Sequence, residues 1–366
     1  MKKIKIGFLA ARSVIMPKAS LYIKETLIMA LKEEGVEADV IVEDIGNGTI
    51  SKTKDKLEKL LLVDFADVIV AVLNPQVAVT FKELLTDLDK VMILIEAGAS
   101  QISFNDDEDM IFSNTQMYWQ LSASMGNWLG KSAYKKVVAA SSFYDSGNDQ
   151  NAAFELGLLS ADSSLQFQYV THMDAGYDVQ KLLNEVKKLQ PEVVYLNYTG
   201  KLAVDVANAF IRNIDIPLAT TPFVSQELLN SLDEANIIQT LPWRRDLPLA
   251  ENEEFLEKCG ASGMLHPEIF HVQGYETGKW IAFALSKGSL EDKHNFMNFE
   301  WDGPRGRISW NKNEKSFEGP VYISVISNNS LSEIKEITSA SLLKETRKNL
   351  DQEVKSGWLN PYLFVT

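Results

Sequence analysis

The sequence predicts an α/β protein of two doubly wound parallel-sheet lobes joined by a three-strand hinge, and three observations carry that expectation. From Ile4 to Ile95, and again from Lys136 to Gln239, short β-branched runs alternate with amphipathic helical stretches about thirty residues apart, the length of a strand–helix–strand unit. The runs are nearly continuous in apolar residues, which marks parallel strands buried on both faces. At 366 residues the chain is long for one core, so two such series imply two lobes. Ligands of this architecture bind beyond the carboxyl ends of the strands, and two facing lobes make a cleft.

The first series has strands at Ile4–Ala10, Ala38–Val42, Asp67–Leu73 and Val91–Ile95. The helix between the first two sets Leu21, Ile23, Leu27, Ala30 and Leu31 against the sheet and Lys24, Glu25, Lys32 and Glu33 toward water, with Gly35 as its stop. Helices over Ser51–Leu62 and Ala78–Leu88 follow, and the polar, irregular 100–115 segment fits a lobe-to-lobe connection. A helix over Tyr118–Lys131 opens the second series. Its strands, Val137–Ala140, Leu165–Thr171, Val193–Leu196 and Ile216–Ala219, alternate with helices over 149–160, 177–189, 200–212 and 224–233. The pattern breaks at Leu241–Pro248. Helices over Glu251–Lys258 and Pro267–Ser286 come next, then antiparallel-looking strands at Gly306–Trp310 and Pro320–Ile326. These late elements extend neither series, so the chain is expected to return to lobe one. The expected division is 1–115 with 246–320 as lobe one, 116–245 with 321–338 as lobe two, and 339–366 as a C-terminal helix or tail.

Composition narrows the function. Hydrophobic content of 45% and charged content of 23% describe an ordinary globular chain. A net charge of −14 argues against nucleic acid or an anionic membrane as partner, since either needs clustered Lys and Arg. The acidic stretches Asn105–Asp109 and Glu251–Glu254 read as solvated faces; the Gly turn and distal Glu of a calcium loop are missing. Cys259, alone, excludes an internal disulfide and reads as an inert, partly buried thiol at a helix end. Met1-Lys-Lys runs straight into the first strand, without the apolar run and cleavage site of a secretory signal. No apolar stretch approaches the roughly 18 residues of a membrane span. The chain as written is expected to be cytoplasmic, or periplasmic if a leader was trimmed, with no direct membrane insertion.

Catalytic motifs are missing. His172, His266, His271 and His294 lack the converging partners of a zinc site. Gly260-Ala-Ser-Gly263 is too short for a nucleophile elbow and follows a helix. Gly126-Asn-Trp-Leu-Gly130-Lys131-Ser132 nearly spells a phosphate loop but lies inside a helix, where Gly126 and Gly130 serve close helix packing. No glycine fingerprint follows the first strand, so neither a dinucleotide nor any other cofactor is expected. What recurs is a small polar cluster at strand end after strand end: Arg12-Ser13, Asn74-Pro75-Gln76, Ala97–Ser100, Tyr144–Gly147 and Asn197–Gly200. Exposed donors without a nucleophile–base pair describe binding better than turnover.

Several longer segments, in order, resemble a type I periplasmic binding protein of the leucine/branched-chain amino-acid receptor (Leu-binding protein-like) family over nearly the whole length. Ile4–Leu31 is similar to the family's opening strand, ligand loop and helix. Ile93–Ser100 resembles its strand ending in a small-residue turn, Phe112–Trp119 its passage into lobe two, and Lys136–Leu158 the strand and glycine turn beyond. Gly274–Leu285 is similar to a late helix, and Phe299–Trp310 matches the closing glycine signature. The resemblance implies a non-catalytic protein that closes its lobes on an amino-acid-like ligand or small carboxylate or amide. It would serve an ABC importer's permease as solute receptor, or a regulatory protein as ligand sensor.

By that resemblance the ligand's carboxylate is held after the third and fourth strands, here at Asn74, Gln76, Gly98, Ala99 and Ser100, with Arg12 and Ser13 close by. Trp119, Tyr144, Tyr198 and Thr199 of lobe two would close over it, with Phe223 beside them. The family keeps a carboxylate for the ligand's ammonium where this chain has Thr220–Val224, and the usual Cys pair is also missing. A buried ammonium without a counter-charge is costly, so the expected ligand is a small anionic or neutral polar molecule. The alternative is an enzyme acting on a small anionic metabolite in the inter-lobe cleft. Arg244-Arg245-Asp246 would then be its clamp, although the same residues also read as a hinge salt bridge. A third reading is a scaffold with a vestigial cleft.

Overall fold

The computed structural model describes residues 2–13, 16–96, 110–142, 149–172, 178–198, 200–221, 236–312, 316–327 and 330–350. Sheet one begins with parallel strands β1 (Lys2–Ala11), β2 (Val36–Gly46), β3 (Val68–Val72), β4 (Met92–Glu96) and β5 (Ile111–Thr115). Every residue of β3, β4 and β5 is buried. Sheet two has β6 (Lys136–Ser142), β7 (Gln166–His172), β8 (Val193–Asn197), β9 (Leu218–Thr220) and β10 (Ile237–Leu241) in parallel.

The late strands divide between the sheets. β11 (Glu300–Gly303), β12 (Gly306–Asn311) and β13 (Ser316–Glu318) extend sheet one beyond β5, while β14 (Tyr322–Ser327) adds antiparallel to β10 and β15 (Ser330–Glu336) antiparallel to β14. The orders are β11-β12-β13-β5-β4-β3-β1-β2 and β15-β14-β10-β9-β8-β6-β7. Among the described strands the chain therefore passes between sheets after β5, after β10 and after β13.

Helices flank both sheets. Those beside sheet one include α1 (Ala19–Glu33), α2 (Ile50–Leu62), α3 (Pro75–Val79) and α4 (Lys82–Asp87). Sheet two carries α5 (Tyr118–Lys131), α6 (Asp149–Ala161), α7 (Val179–Leu189) and α8 (Gly200–Asn213). Val138, Ala140, Val194 and Leu196 pack with Leu182 and Val186 of α7 and Val206 and Phe210 of α8. Val137, Ala139, Val193 and Tyr195 pack with Met125 and Leu129 of α5 and Phe154 and Leu158 of α6. Successive strand residues point to opposite faces, so the two helix pairs cover opposite sides. Of the late helices, α9 (Ala250–Ala261) buries Phe255 and Cys259 against Val272 and Tyr275 of α10 (Ile269–Lys287), and α11 (Ala340–Leu350) lies on α5 and α6.

Two helix pairs touch backbone to backbone. A Cβ at Gly274 of α10 would sit 2.3 Å from the Ile23 carbonyl oxygen of α1. One at Gly126 of α5 would sit 2.1 Å from that of Phe154 in α6, and one at Gly130 2.7 Å from that of Leu158. The near-miss phosphate loop is thus a helix contact, as its glycine spacing inside a helix suggests.

Three local expectations change. Leu21 is 45% exposed, because Ala19, Ile23, Leu27, Ala30 and Leu31 already fill the helical stripe that faces the core. The helix expected over Ala78–Leu88 is two short ones: Asn74 caps α3 and Pro75 starts it, and the turn breaks at Phe81 before α4. The irregular connection at 100–115 ends in a buried strand, β5, which Ser113, Asn114 and Thr115 disguise as a polar segment. The helix expected over 224–233 lies outside the described residues.

The polar groups of β5 are satisfied at the junction between the sheets. Arg305, in the tight turn from β11 to β12, is fully buried and grips the equally buried Glu276 with two bonds, Nε to Oε1 at 2.7 Å and Nη2 to Oε2 at 2.9 Å. Its Nη1 also donates to the Thr115 carbonyl at 3.0 Å. Asn114 Nδ2 donates to Thr277 Oγ1 and to the Gln273 carbonyl. Gln273 Nε2 donates to the carbonyls of Glu96 and Asn114, and its Oε1 accepts from Gln116. Tyr322, just past the third passage, donates its hydroxyl to the Arg305 carbonyl at 3.0 Å. Burial pushes the Glu276 carboxyl above its ordinary range, against the pull of Arg305.

His271 is also structural. It stacks on Tyr22 at 4.1 Å, and its Nδ1 accepts the Glu268 N–H in a capping box. Burial lowers its pKa to about 4. A group depressed in the folded state binds fewer protons there than when unfolded, so stability rises with pH across this window. We expect the His271 contribution to be complete above about pH 6.5 and to fade as pH drops toward about 4. Urea melts of wild type and His271→Gln between pH 4 and 7.5 check this: the pH slope of the variant should be shallower.

Candidate functional site

The chain first crosses from the carboxyl edge of sheet one to the side of sheet two. β5 ends at Thr115, and α5 begins three residues later at Tyr118. The Tyr118 hydroxyl then donates at 3.0 Å to Asn197 Oδ1, at the carboxyl end of β8 in the other sheet. Tyr118, whose ring packs with the sheet-one core, thus ties the first passage to the edge of sheet two. In open α/β sheets such an edge is where ligands bind.

On the sheet-two side, buried amides and hydroxyls run in a chain. Asn197 Nδ2 donates to Asn151 Oδ1, and Asn151 Nδ2 to Ser141 Oγ at 3.1 Å. Tyr169 donates to the Asn151 carbonyl at 2.7 Å. This links the ends of β6 and β8 to the first turn of α6 and the start of α5. Beside it, Gln239 Nε2 donates to the Thr221 carbonyl at 2.8 Å, and Thr221 Oγ1 donates to that of Tyr198.

On the sheet-one side, Arg12 and Ser13 follow β1 and Asn74 and Gln76 follow the neighbouring β3, so four expected site residues share one edge. Arg12 is exposed, and its Nε donates to Asp44 Oδ2 at 2.8 Å. The Gly46 N–H, then the Arg12 guanidinium, hold the Asp44 carboxyl below its ordinary range. Ser13 Oγ accepts from the Met16 N–H at 3.0 Å. Asn74 spends its Oδ1 capping α3 through the Gln76 N–H at 2.9 Å, and the Gln76 side chain is exposed. At the end of β4, the buried Glu96 accepts from Ser113 Oγ at 2.8 Å.

Two residues of the expected aromatic lid, Trp119 and Tyr198, are packed in the cores. Trp119 packs with Ala123, Ala153 and Leu350, beneath α11. Tyr198 belongs to the core under α7 and α8. Gly98, Ala99, Ser100, Tyr144, Thr199 and Phe223 lie outside the described residues. Of the residues that line the sheet-two edge, Tyr118, Ser141 and Asn151 were passed over by sequence reasoning, and Asn197 was named in its strand-end cluster but not chosen as a site residue. The strand-end rule that selected Tyr198 points equally to its neighbour Asn197. Preferring an aromatic to an amide shifted the choice by one residue and onto the opposite face of the chain.

Some of the residues considered for catalysis or metal have partners, although Arg244 Nη1 is buried without one. Arg244 closes on Asp246 with bonds of 2.6 and 2.9 Å, and Arg245 Nη1 meets His266 Nδ1 at 2.9 Å. Burial pushes the Cys259 thiol up to about 12, far from a reactive thiolate. Among the described residues no three His, Cys, Asp or Glu side chains converge on a metal position. No described helix is long and apolar enough to cross a membrane.

A family model described as a periplasmic binding protein matches residues 3–330. Among solved structures, a solute binding protein of an ABC transporter from Rhodopseudomonas palustris, in complex with p-hydroxybenzoic acid, superposes with a TM-score of 0.76 at 15% identity over 94% of this chain and 100% of that one. An ABC transporter substrate-binding protein from Sphaerobacter thermophilus gives 0.78 at 17% identity over 92% and 97%. The branched-chain amino acid transporter substrate binding protein of Streptococcus pneumoniae, in complex with isoleucine, gives 0.71 at 16% over 92% and 100%. No curated protein matches the sequence.

Proposed function

Because this chain belongs to the periplasmic binding protein family, we propose that it is a non-catalytic receptor that closes two lobes on a small carboxylate with an apolar or planar body. The observation that carries this reading is the run of buried amides and hydroxyls along the carboxyl edge of sheet two, tied by Tyr118 to the first passage from sheet one. Lobe one would comprise 1–115 with 246–320 and lobe two 116–245 with 321–338, the three passages between the sheets acting as the hinge. Arg12, Ser13, Asn74, Gln76, Gly98, Ala99 and Ser100 would present donors to the acid group. Arg12 is exposed and shares its Nε and Nη2 with Asp44, so a ligand acid group would compete with that carboxylate.

The similar R. palustris protein holds p-hydroxybenzoic acid and the similar S. pneumoniae protein holds isoleucine, so acids with and without an ammonium both occur on this fold. The stretch Thr220–Val224 offers no carboxylate to an ammonium, which favours the first kind here. The partner would be the permease of an ABC importer, with a periplasmic location, or a regulatory protein if the chain acts as a sensor.

The test is calorimetry and small-angle scattering with leucine and its keto acid. The keto acid should bind on the order of tenfold or more tighter than leucine, compact the protein, and be recovered unchanged. Tighter binding of leucine would sink the ligand class. Turnover of either compound would replace the receptor with the enzyme reading, in which Arg244-Arg245-Asp246 acts as an anion clamp.

A further inference from the structure

Gln150 stands in the first turn of α6, fully buried, with neither its amide nitrogen nor its amide oxygen hydrogen-bonded. Native proteins keep very few such groups, because each forgoes the bonds it made with water. Its neighbours Asn151, Asn197, Tyr118 and Ser141 are joined in one chain of bonds, and among the described residues Gln150 alone leaves two buried side-chain atoms unpaired.

The surroundings point the same way. α5 and α6 each run from the carboxyl edge of sheet two toward its amino edge, since β6 follows the one and precedes the other. Their glycine contacts, Gly126 on Phe154 and Gly130 on Leu158, put residues 28 apart side by side. That register brings Gln120, in the first turn of α5, level with the first turn of α6. Gln120 Oε1 is also buried without a partner. Two helix N-termini of fourteen and thirteen residues thus lie together. There Gln150 leaves both atoms of its carboxamide unpaired and Gln120 leaves its oxygen so, at the carboxyl edge of sheet two.

We propose that Gln150, with Gln120 beside it, is the lobe-two contact for a second polar group at the far end of the ligand's apolar body. The ligand is then a carboxylate that also bears a hydroxyl or carboxamide. This rests on the receptor reading. A carboxamide both donates and accepts, so its best match is a group that does the same. An ammonium only donates, and the positive ends of two helix dipoles oppose it. A bare apolar end leaves the carboxamides as they are and gains nothing from them.

The experiment is calorimetry on the intact protein and on Gln150→Leu with three probes, benzoate, 4-hydroxybenzoate and leucine, together with melts of the ligand-free proteins. Wild type should bind 4-hydroxybenzoate about tenfold to a hundredfold tighter than benzoate. Gln150→Leu should erase that preference with benzoate binding unchanged, and should melt no lower than wild type, because it removes two unmade bonds. Equal binding of the two acids by wild type, or binding of leucine alone, overturns the inference and leaves the receptor standing. So does an equal loss of both acids in the variant, which would assign Gln150 to the carboxylate. A variant that melts several degrees lower makes Gln150 a structural group, and overturns the inference as well. If no probe binds wild type, the receptor reading falls and takes the inference with it.

Discussion

Replacing Arg305 with methionine is expected to cost about 3–5 kcal/mol of stability. The side chain is fully buried and makes four described bonds, two of them to an equally buried carboxylate. Its loss strands Glu276 in a dry environment, and that carboxyl will take up a proton rather than stay charged. The sign of the pH dependence follows. A carboxyl whose folded pKa is raised contributes its stability fully below its unfolded value and loses it as pH climbs through the folded one. Burial already raises Glu276, and without Arg305 it will rise further. The deficit of Arg305→Met should therefore narrow as pH is lowered toward the ordinary carboxylate range. Urea melts at several pH values check both parts. The double variant Arg305→Met/Glu276→Leu should recover most of the loss, since replacing a whole buried pair with apolar groups is often close to neutral. A single variant of wild-type stability would mean that the pair holds little at this junction. Because Arg305, Glu276 and Tyr322 join β5, α10 and β14 beside the inter-sheet passages, the single variant should also show the broadest change in scattering on ligand addition.

Gly157→Ala, in the middle of α6, is expected to destabilise by about 2 kcal/mol or more despite improving helix propensity. The new Cβ would lie 2.0 Å from the Ala123 carbonyl oxygen and 2.8 Å from its carbon. Those are backbone atoms of α5, which cannot step aside as a flexible side chain can. The two helices must separate, losing contacts along a face built from Met125, Leu129, Phe154 and Leu158. Gly260→Ala in α9 is the matched control. Nothing lies within 4 Å of its Cβ, so the same substitution there should stabilise by about 0.5–1 kcal/mol. Thermal or denaturant melts of the two variants should move in opposite directions. If Gly157→Ala also stabilises, the close α5–α6 contact is not rigid. The register that sets Gln120 level with the first turn of α6 would then be loose too.

Much of this molecule was legible in its residues because period and composition report burial directly. β3 and β4 are buried at every position, and their near-continuous apolar runs announce it. The α5 range was readable to the residue, since Tyr118 opens an apolar face and Lys131 closes it. What escaped is equally instructive. β5 carries Ser113, Asn114 and Thr115, which read as a connection because sequence pattern equates polar with wet. Ser113 is satisfied by Glu96, but Asn114 and the Thr115 carbonyl are buried only because Arg305, Gln273 and Thr277, all more than 150 positions later in the chain, supply their partners. The antiparallel additions β11, β13 and β15 are short or half-exposed, and a strand of that kind has no signal of its own until a neighbour pairs with it.

The candidate site divides along the same line. That small polar residues collect at strand ends follows from local sequence, because a buried parallel strand has to end in groups that tolerate a turn and face water. Arg12, Ser13, Asn74 and Gln76 were found that way. Which of those groups remain available to a ligand is a matter of partners, and partners come from distant positions. Asp44 occupies Arg12, the turn of α3 occupies Asn74, and α11 covers Trp119. The sequence by itself determined that there are two doubly wound series and that their strand ends are polar, since both are consequences of periodicity within a few dozen residues. Only the tertiary structure decided that Tyr118 reaches Asn197 across the junction and that Gln150 is left without a partner. Hydrogen-bond satisfaction depends on which atoms lie within about 3 Å in space, and no local pattern encodes that distance.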